Sequence, residues 1–184
     1  MKLESSALSM FKQILIGLKA VKADVVFLAE HDVIYHRTHF DFTPEKEDVY
    51  YYNENVWKLC AKTGQAVFYR IKQTSGLCAY RELLIEHYSK RVERVQREGL
   101  THRMGLDPGT HKTPQGIDDY KALTWMSKGS NIDIRHGNNL TANRFRRDQF
   151  RSKRSIKGWT LADKIPGWGK TKDRFDNFIF DLGS

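Results

Sequence analysis

The 184-residue chain sets 31 Lys and Arg against 22 Asp and Glu, a net charge of +9 and a pI near 9.5, at a mean hydropathy of −0.61. Its longest apolar stretch, Phe11 to Val26, is interrupted by Lys12, Lys19, Lys22 and Asp24, which excludes a membrane span of roughly 20 residues. Cys60 and Cys78 alone exclude a disulfide framework and a cysteine-based zinc site; with no signal-peptide pattern at the N-terminus, a reducing cytoplasm is the expected compartment.

The length predicts one domain over 1–184, with a core over about 1–140 and a basic, loop-rich segment over 141–184. In chain order, Leu8, Phe11, Leu15, Leu18 and Val21 recur at three- and four-residue spacing. They predict an amphipathic helix over 5–21 with Ser5 or Ser6 as its N-cap. Val25-Val26-Phe27-Leu28 reads as a strand buried on both faces, ending in Glu30-His31-Asp32. An aromatic and histidine-rich stretch, 33–42, leads through Pro44 to a strand over 48–52. Val56–Leu59 and Ala66–Ile71 predict a hairpin turned at Thr63-Gly64. A helix is expected from about Cys78 to Arg97, with Leu84, Tyr88, Val92 and Val95 as its buried stripe and Gly99 as its stop. Residues 102–116 read as an irregular loop, 118–126 as a short helix, and Ile132-Asp133-Ile134 as a strand running into Arg135-His136-Gly137. Beyond it Trp159 and Trp168 are expected packing anchors.

Two strand ends thus deliver polar side chains to turns. Carboxylates are costly to bury unpaired, so Glu30 and Asp32 belong at the sheet's rim, where open α/β sheets bind ligands. Asp32, Glu30 and His136 would make a mixed oxygen and nitrogen site suited to Mn²⁺ better than to Ca²⁺. A merely charged strand end and a surface histidine account for the same residues.

Residues 6–42, a helix leading to a strand that ends in Glu30-His31-Asp32, resemble the middle of a GT-A-fold glycosyltransferase of the family 2-like kind. Gln73-Thr74-Ser75-Gly76-Leu77-Cys78-Ala79-Tyr80-Arg81 is similar to the acceptor segment that precedes a helix in that family. The resemblance covers about residues 6–140 and implies a partial GT-A-like (Rossmann-like) α/β mixed sheet with flanking helices. It implies a metal-dependent transfer from a nucleotide-sugar donor, with Mn²⁺ or Mg²⁺ held by Asp32, Glu30 and His136. Two departures stand out: Glu30 replaces the shorter aspartate, and the family's nucleotide-binding first half has no counterpart before Ser5. A homodimer or a partner chain supplying that half is the corresponding expectation.

An inverting transfer needs a base for the acceptor hydroxyl. Asp107 stands in the right region, although a loop-capping Asp before Pro108 reads the same way. Arg144 and Arg147, within a run that includes Arg146, Arg151, Lys153 and Arg154, are candidates to clamp a diphosphate. The same run suits a nucleic-acid backbone. The acceptor is therefore open and includes modified DNA bases, and the competing class is a catalytically incomplete basic domain that binds nucleic acid or a partner subunit.

Overall fold

The computed structural model describes residues 6–101, 104–137, 139, 141–150 and 156–171. In chain order the helices are α1 (Ala7–Ala20) and α2 (Arg81–Glu98). The strands are β1 (Val25–Phe27), β2 (Val33–Ile34), β3 (Val49–Asn53), β4 (Val56–Cys60), β5 (Ala66–Phe68), β6 (Leu77–Tyr80), β7 (Lys121–Trp125), β8 (Asn131–Arg135), β9 (Thr160–Ala162), β10 (Lys164–Ile165) and β11 (Gly169–Lys170). The architecture is α/β with mixed sheets, and no helix among the described residues is long and apolar enough to cross a membrane. The chain forms two compact units, one of Met1–Leu28, Thr43–Tyr52 and Lys72–Thr124, the other of Ala29–Phe42, Asn53–Ile71 and Trp125–Ser184.

In the first unit α1 begins where Ser6, in extended backbone, accepts the Ser9 N–H at 3.2 Å. Its apolar stripe buries Phe11 and Leu18, and Phe11 meets Tyr88 of α2 at 6.1 Å between ring centroids. The sheet runs β1-β6-β3-β7, with β6 antiparallel to both β1 and β3. Tyr50, Tyr52, Leu77, Ala79, Leu84 and Tyr88 complete the core.

Three sequence expectations change here. The first strand is three half-buried residues at a sheet edge, so it is not buried on both faces. Residues 77–80, expected in the helix, form β6: lying between two strands satisfies both backbone edges and buries Leu77, Cys78 and Ala79 completely. The helix therefore starts at Arg81, whose N–H donates to Asp24 O at 2.7 Å, and ends as expected at Gly99, with φ of 75°. Residues 121–125, expected as helix, extend the sheet as β7 beside β3, because Leu123, Thr124 and Trp125 fit a pleated edge better than a short helix.

The second unit holds the sheet β2-β8-β4-β5-β9. Its centre, β4, runs parallel to β8 (Trp57↔Ile132) and antiparallel to β5 (Trp57↔Phe68), turning near Gly64 as the sequence predicts. One face packs Trp57, Leu59, Ala66, Ile132 and Ile134 with Ile165. Alternation places Lys58, Asp133 and Tyr69 on the other. There Lys58 is buried, donating from Nζ to Val56 O at 3.3 Å and lying 4.6 Å from the Tyr69 ring centroid. Trp159 and Trp168 act as anchors: Trp159 stacks on Tyr69, and Trp168 donates from Nε1 to Ser130 O at 2.7 Å.

Candidate functional site

The Glu30–Asp32 turn does not cap β1. It opens β2 in the second unit, closed by the Val33 N–H on Glu30 O at 3.3 Å. Antiparallel pairing of β2 with β8 then lays Asp32 beside the end of β8, and Ile134 N–H donates to Asp32 O at 2.8 Å. Pairing alone thus brings Asp32 and His136 together across more than a hundred residues of sequence. His136 Nε2 lies 3.6 Å from Asp32 Oδ2, with the two side chains 35% and 15% exposed.

The loop after β8 is built by its own polar side chains. Asn139 accepts the His136 N–H at 2.6 Å and donates to Asp32 Oδ2 at 2.7 Å. Asn143 donates to His136 O at 2.8 Å, while Arg135 reaches Asn143 Oδ1 at 3.0 Å and Thr141 O at 2.8 Å. Glu30 is exposed on the same turn, its N–H donating to Tyr35 Oη at 3.0 Å. Burial holds the Tyr35 phenol above its ordinary value, and Glu30, Asp133 and Asp32 add to that.

The separation of 3.6 Å is too long for a hydrogen bond. Two donors bonded to one Mg²⁺ or Mn²⁺ at about 2.1 Å stand about 3 to 4 Å apart, so the spacing suits a shared cation. Among the described residues no group of three or more His, Cys, Asp and Glu side chains converges as a metal cage. Two protein ligands, with the rest supplied by substrate phosphates and water, is the way Mg²⁺-type ions are commonly held. The residues present fit that mode.

Behind this turn lies a buried polar network that sequence reasoning missed. His39 is fully buried, with Nδ1 2.9 Å from Asn53 Nδ2 and 3.1 Å from Asn131 Nδ2. Both amides donate, so Nδ1 is the acceptor, and burial pushes His39 down to about 4. Asn131 Oδ1 takes the His36 N–H at 3.0 Å, and Asn53 Nδ2 also donates to Ser127 Oγ at 2.8 Å. A Cβ at Gly129 would fall 2.2 Å from the His36 ring, so only glycine admits this approach. Polar residues at strand ends (Asn53, Asn55, Asn131) beside a histidine-rich stretch were the available signal.

Asp107 lies in the first unit. Its Oδ1 accepts from Thr74 Oγ1 at 2.9 Å, which joins it to the segment that leads into β6. Burial raises the Asp107 carboxyl above its ordinary range, against the pull of the Thr74 hydrogen bonds and Arg91. The same unit holds a second His–Asp pair. His87 donates from Nδ1 to Asp118 Oδ2 at 2.5 Å, because Nε2 is taken by the Arg91 Nε–H at 3.0 Å. Tyr50 Oη donates to the same Asp118 oxygen at 2.9 Å. Burial pushes Asp118 up, but the His87 and Tyr50 bonds outweigh it and hold the carboxyl below its usual range.

Of the arginines, Arg144 lies 5.4 Å from the Phe150 ring centroid, and Arg147 borders an open depression beside Trp159. Arg151, Lys153 and Arg154 lie outside the described residues. Compared with protein-family models, curated proteins and solved structures, the chain finds no match.

Proposed function

We propose that the chain is a metal-dependent glycosyltransferase of GT-A type, moving a sugar from a nucleotide-sugar donor to an acceptor hydroxyl. The observation that carries this reading is the meeting of Asp32 and His136 at 3.6 Å on a partly exposed sheet end. Asp32 and His136 would hold Mn²⁺ or Mg²⁺, with Glu30 in support on the same turn. When bound, the cation neutralises charge on the departing diphosphate.

The chain's own residues around this pair have two tasks. Asn139 fixes the Asp32 carboxylate through its Nδ2–H and shapes the His136 loop through its Oδ1. The His39–Asn53–Asn131 network holds the preceding segment in register with β8. In the transfer the acceptor oxygen forms its bond to the anomeric carbon, the bond to the diphosphate breaks with its electron pair, and the hydroxyl proton passes to a general base.

The test is turnover of a panel of UDP- and GDP-sugars with Mn²⁺. Asp32→Ala and His136→Ala should each lower metal-dependent release of nucleoside diphosphate by about 100-fold or more, since such a cation is worth several kcal/mol. Undiminished turnover in Asp32→Ala would overturn the reading.

A further inference from the structure

The basic surplus is not spread evenly. From Arg135 onward twelve Lys and Arg face five Asp and Glu, a net +7 of the chain's +9. Two aromatic residues of that stretch, Phe150 and Trp159, pack against Tyr69 in the second unit. Trp159 lies parallel to Tyr69, at 11° and 5.7 Å between centroids, and Phe150 stands edge-on to both, at 82° to Trp159 and 77° to Tyr69. Trp159 is only half-buried, and two shallow depressions share it with Arg147. Phe145, Arg146 and the 49%-exposed Leu161 line the first, and Ile156 and Thr160 line the second.

We propose that this surface binds single-stranded nucleic acid, an unstacked base lying against the Trp159 platform while Arg146 and Arg147 contact phosphates on either side. Three features select that partner. Both depressions are open and shallow, whereas a mononucleotide is normally held in a concave pocket that covers most of its surface. An indole fixed by stacking on Tyr69 offers base stacking with little ordering cost, the device of sequence-tolerant single-strand binders. Arginines on an exposed rim supply the phosphate contacts that dominate nucleic-acid affinity. Asp148 on this rim pairs with Arg146 at 3.2 Å, but both are largely exposed and the guanidinium keeps further N–H donors. The surface owes nothing to the Asp32–His136 pair, so it goes beyond the catalytic reading and names the class of acceptor or template such a transferase would meet.

The experiment is fluorescence anisotropy with a labelled 20-mer of thymidylate on the full chain, in EDTA, from 50 to 200 mM KCl. Wild type and Asp32→Ala should bind alike, which separates this test from that of the transferase. Trp159→Ala should weaken binding by about tenfold. Because Trp159 also packs on Tyr69, Arg147→Glu serves as the second variant: it should weaken binding and flatten the log K against log[salt] slope by at least ~0.7. A matched duplex should bind less tightly, and heparin at equal charge should compete poorly. No binding of the 20-mer, undiminished binding by both variants, heparin competing as well as the 20-mer, or UDP displacing it at equimolar concentration would each overturn the proposal.

Discussion

Two histidine–aspartate pairs among the described residues have the same chemistry and opposite settings. His87 and Asp118 stand 2.5 Å apart, 1% and 6% exposed, with Arg91 on the far ring nitrogen and Tyr50 on the same carboxylate oxygen. His136 and Asp32 stand 3.6 Å apart, 35% and 15% exposed, fixed by the loop amide of Asn139. In the first pair short bonds and burial join helix α2 to the loop before β7, and an incoming ligand would have to break them. In the second the two groups stand beyond hydrogen-bonding distance of each other, with Asn139 Nδ2 2.7 Å from Asp32 Oδ2 and 3.5 Å from His136 Nε2, and both are partly exposed. The difference separates a buried cross-link from a partly exposed pair more sharply than residue type does.

The largest effect on stability should come from breaking the closed pair. Asp118→Ala leaves the His87 Nδ1–H and the Tyr50 hydroxyl buried without their acceptor, and should cost about 3 to 4 kcal/mol in urea unfolding. Asp32→Ala removes a carboxylate that is 15% exposed and should cost under ~1 kcal/mol while, on the proposed reading, abolishing Mn²⁺ binding. Equal destabilisation by the two would dissolve the contrast.

Acid should act next, through the buried histidines. His39 binds a proton more weakly folded than unfolded, its pKa falling from 6.5 to about 4, and His87 shifts in the same direction. The unfolded chain therefore takes up protons first. The stability these groups contribute is complete above pH 6.5 and is lost as the pH falls towards 4, by an amount on the order of 2 to 3 kcal/mol for His39. Denaturant midpoints measured at pH 7.5, 6 and 4.5 check this; constant values would contradict it.

The smallest effect should belong to Lys58. Burial pushes its ammonium down to about 8, opposed by Asp133. Asp133 keeps Arg135 at 3.4 Å, so Lys58→Met should be neutral or stabilising by about 1 kcal/mol in the same unfolding assay. A clear loss of stability would mean that the amine, rather than its aliphatic stem, holds the sheet face together.

Local signals carried well from sequence to structure. The spacing of Phe11 and Leu18, the Ser6 cap, the Gly64 turn and the Gly99 stop each report an element through its immediate neighbours. What failed depended on distant partners. Leu77–Tyr80 looks like the first turn of a helix until β1 and β3 flank it, and Lys121–Trp125 becomes a strand only beside β3. The pairing of Asp32 with His136 was suggested by two strand ends that each deliver polar side chains to a turn, not by any spacing in the chain. Its mechanical origin, the β2–β8 pairing, was invisible because β2 is two residues long. The His39–Asn53–Asn131 network was missed for a related reason: each residue reads as loop polarity until all three are buried on one nitrogen.

The most direct measurement is calorimetric titration of Mn²⁺ with UDP or GDP into wild type, Asp32→Ala, His136→Ala and, as a control, Arg94→Ala in α2. Cooperative binding of metal and nucleoside diphosphate that is lost in the first two variants and kept in the control is the predicted result. Binding that survives removal of both Asp32 and His136, or that fails in wild type with either nucleotide, would contradict the assignment of this pair as the metal centre.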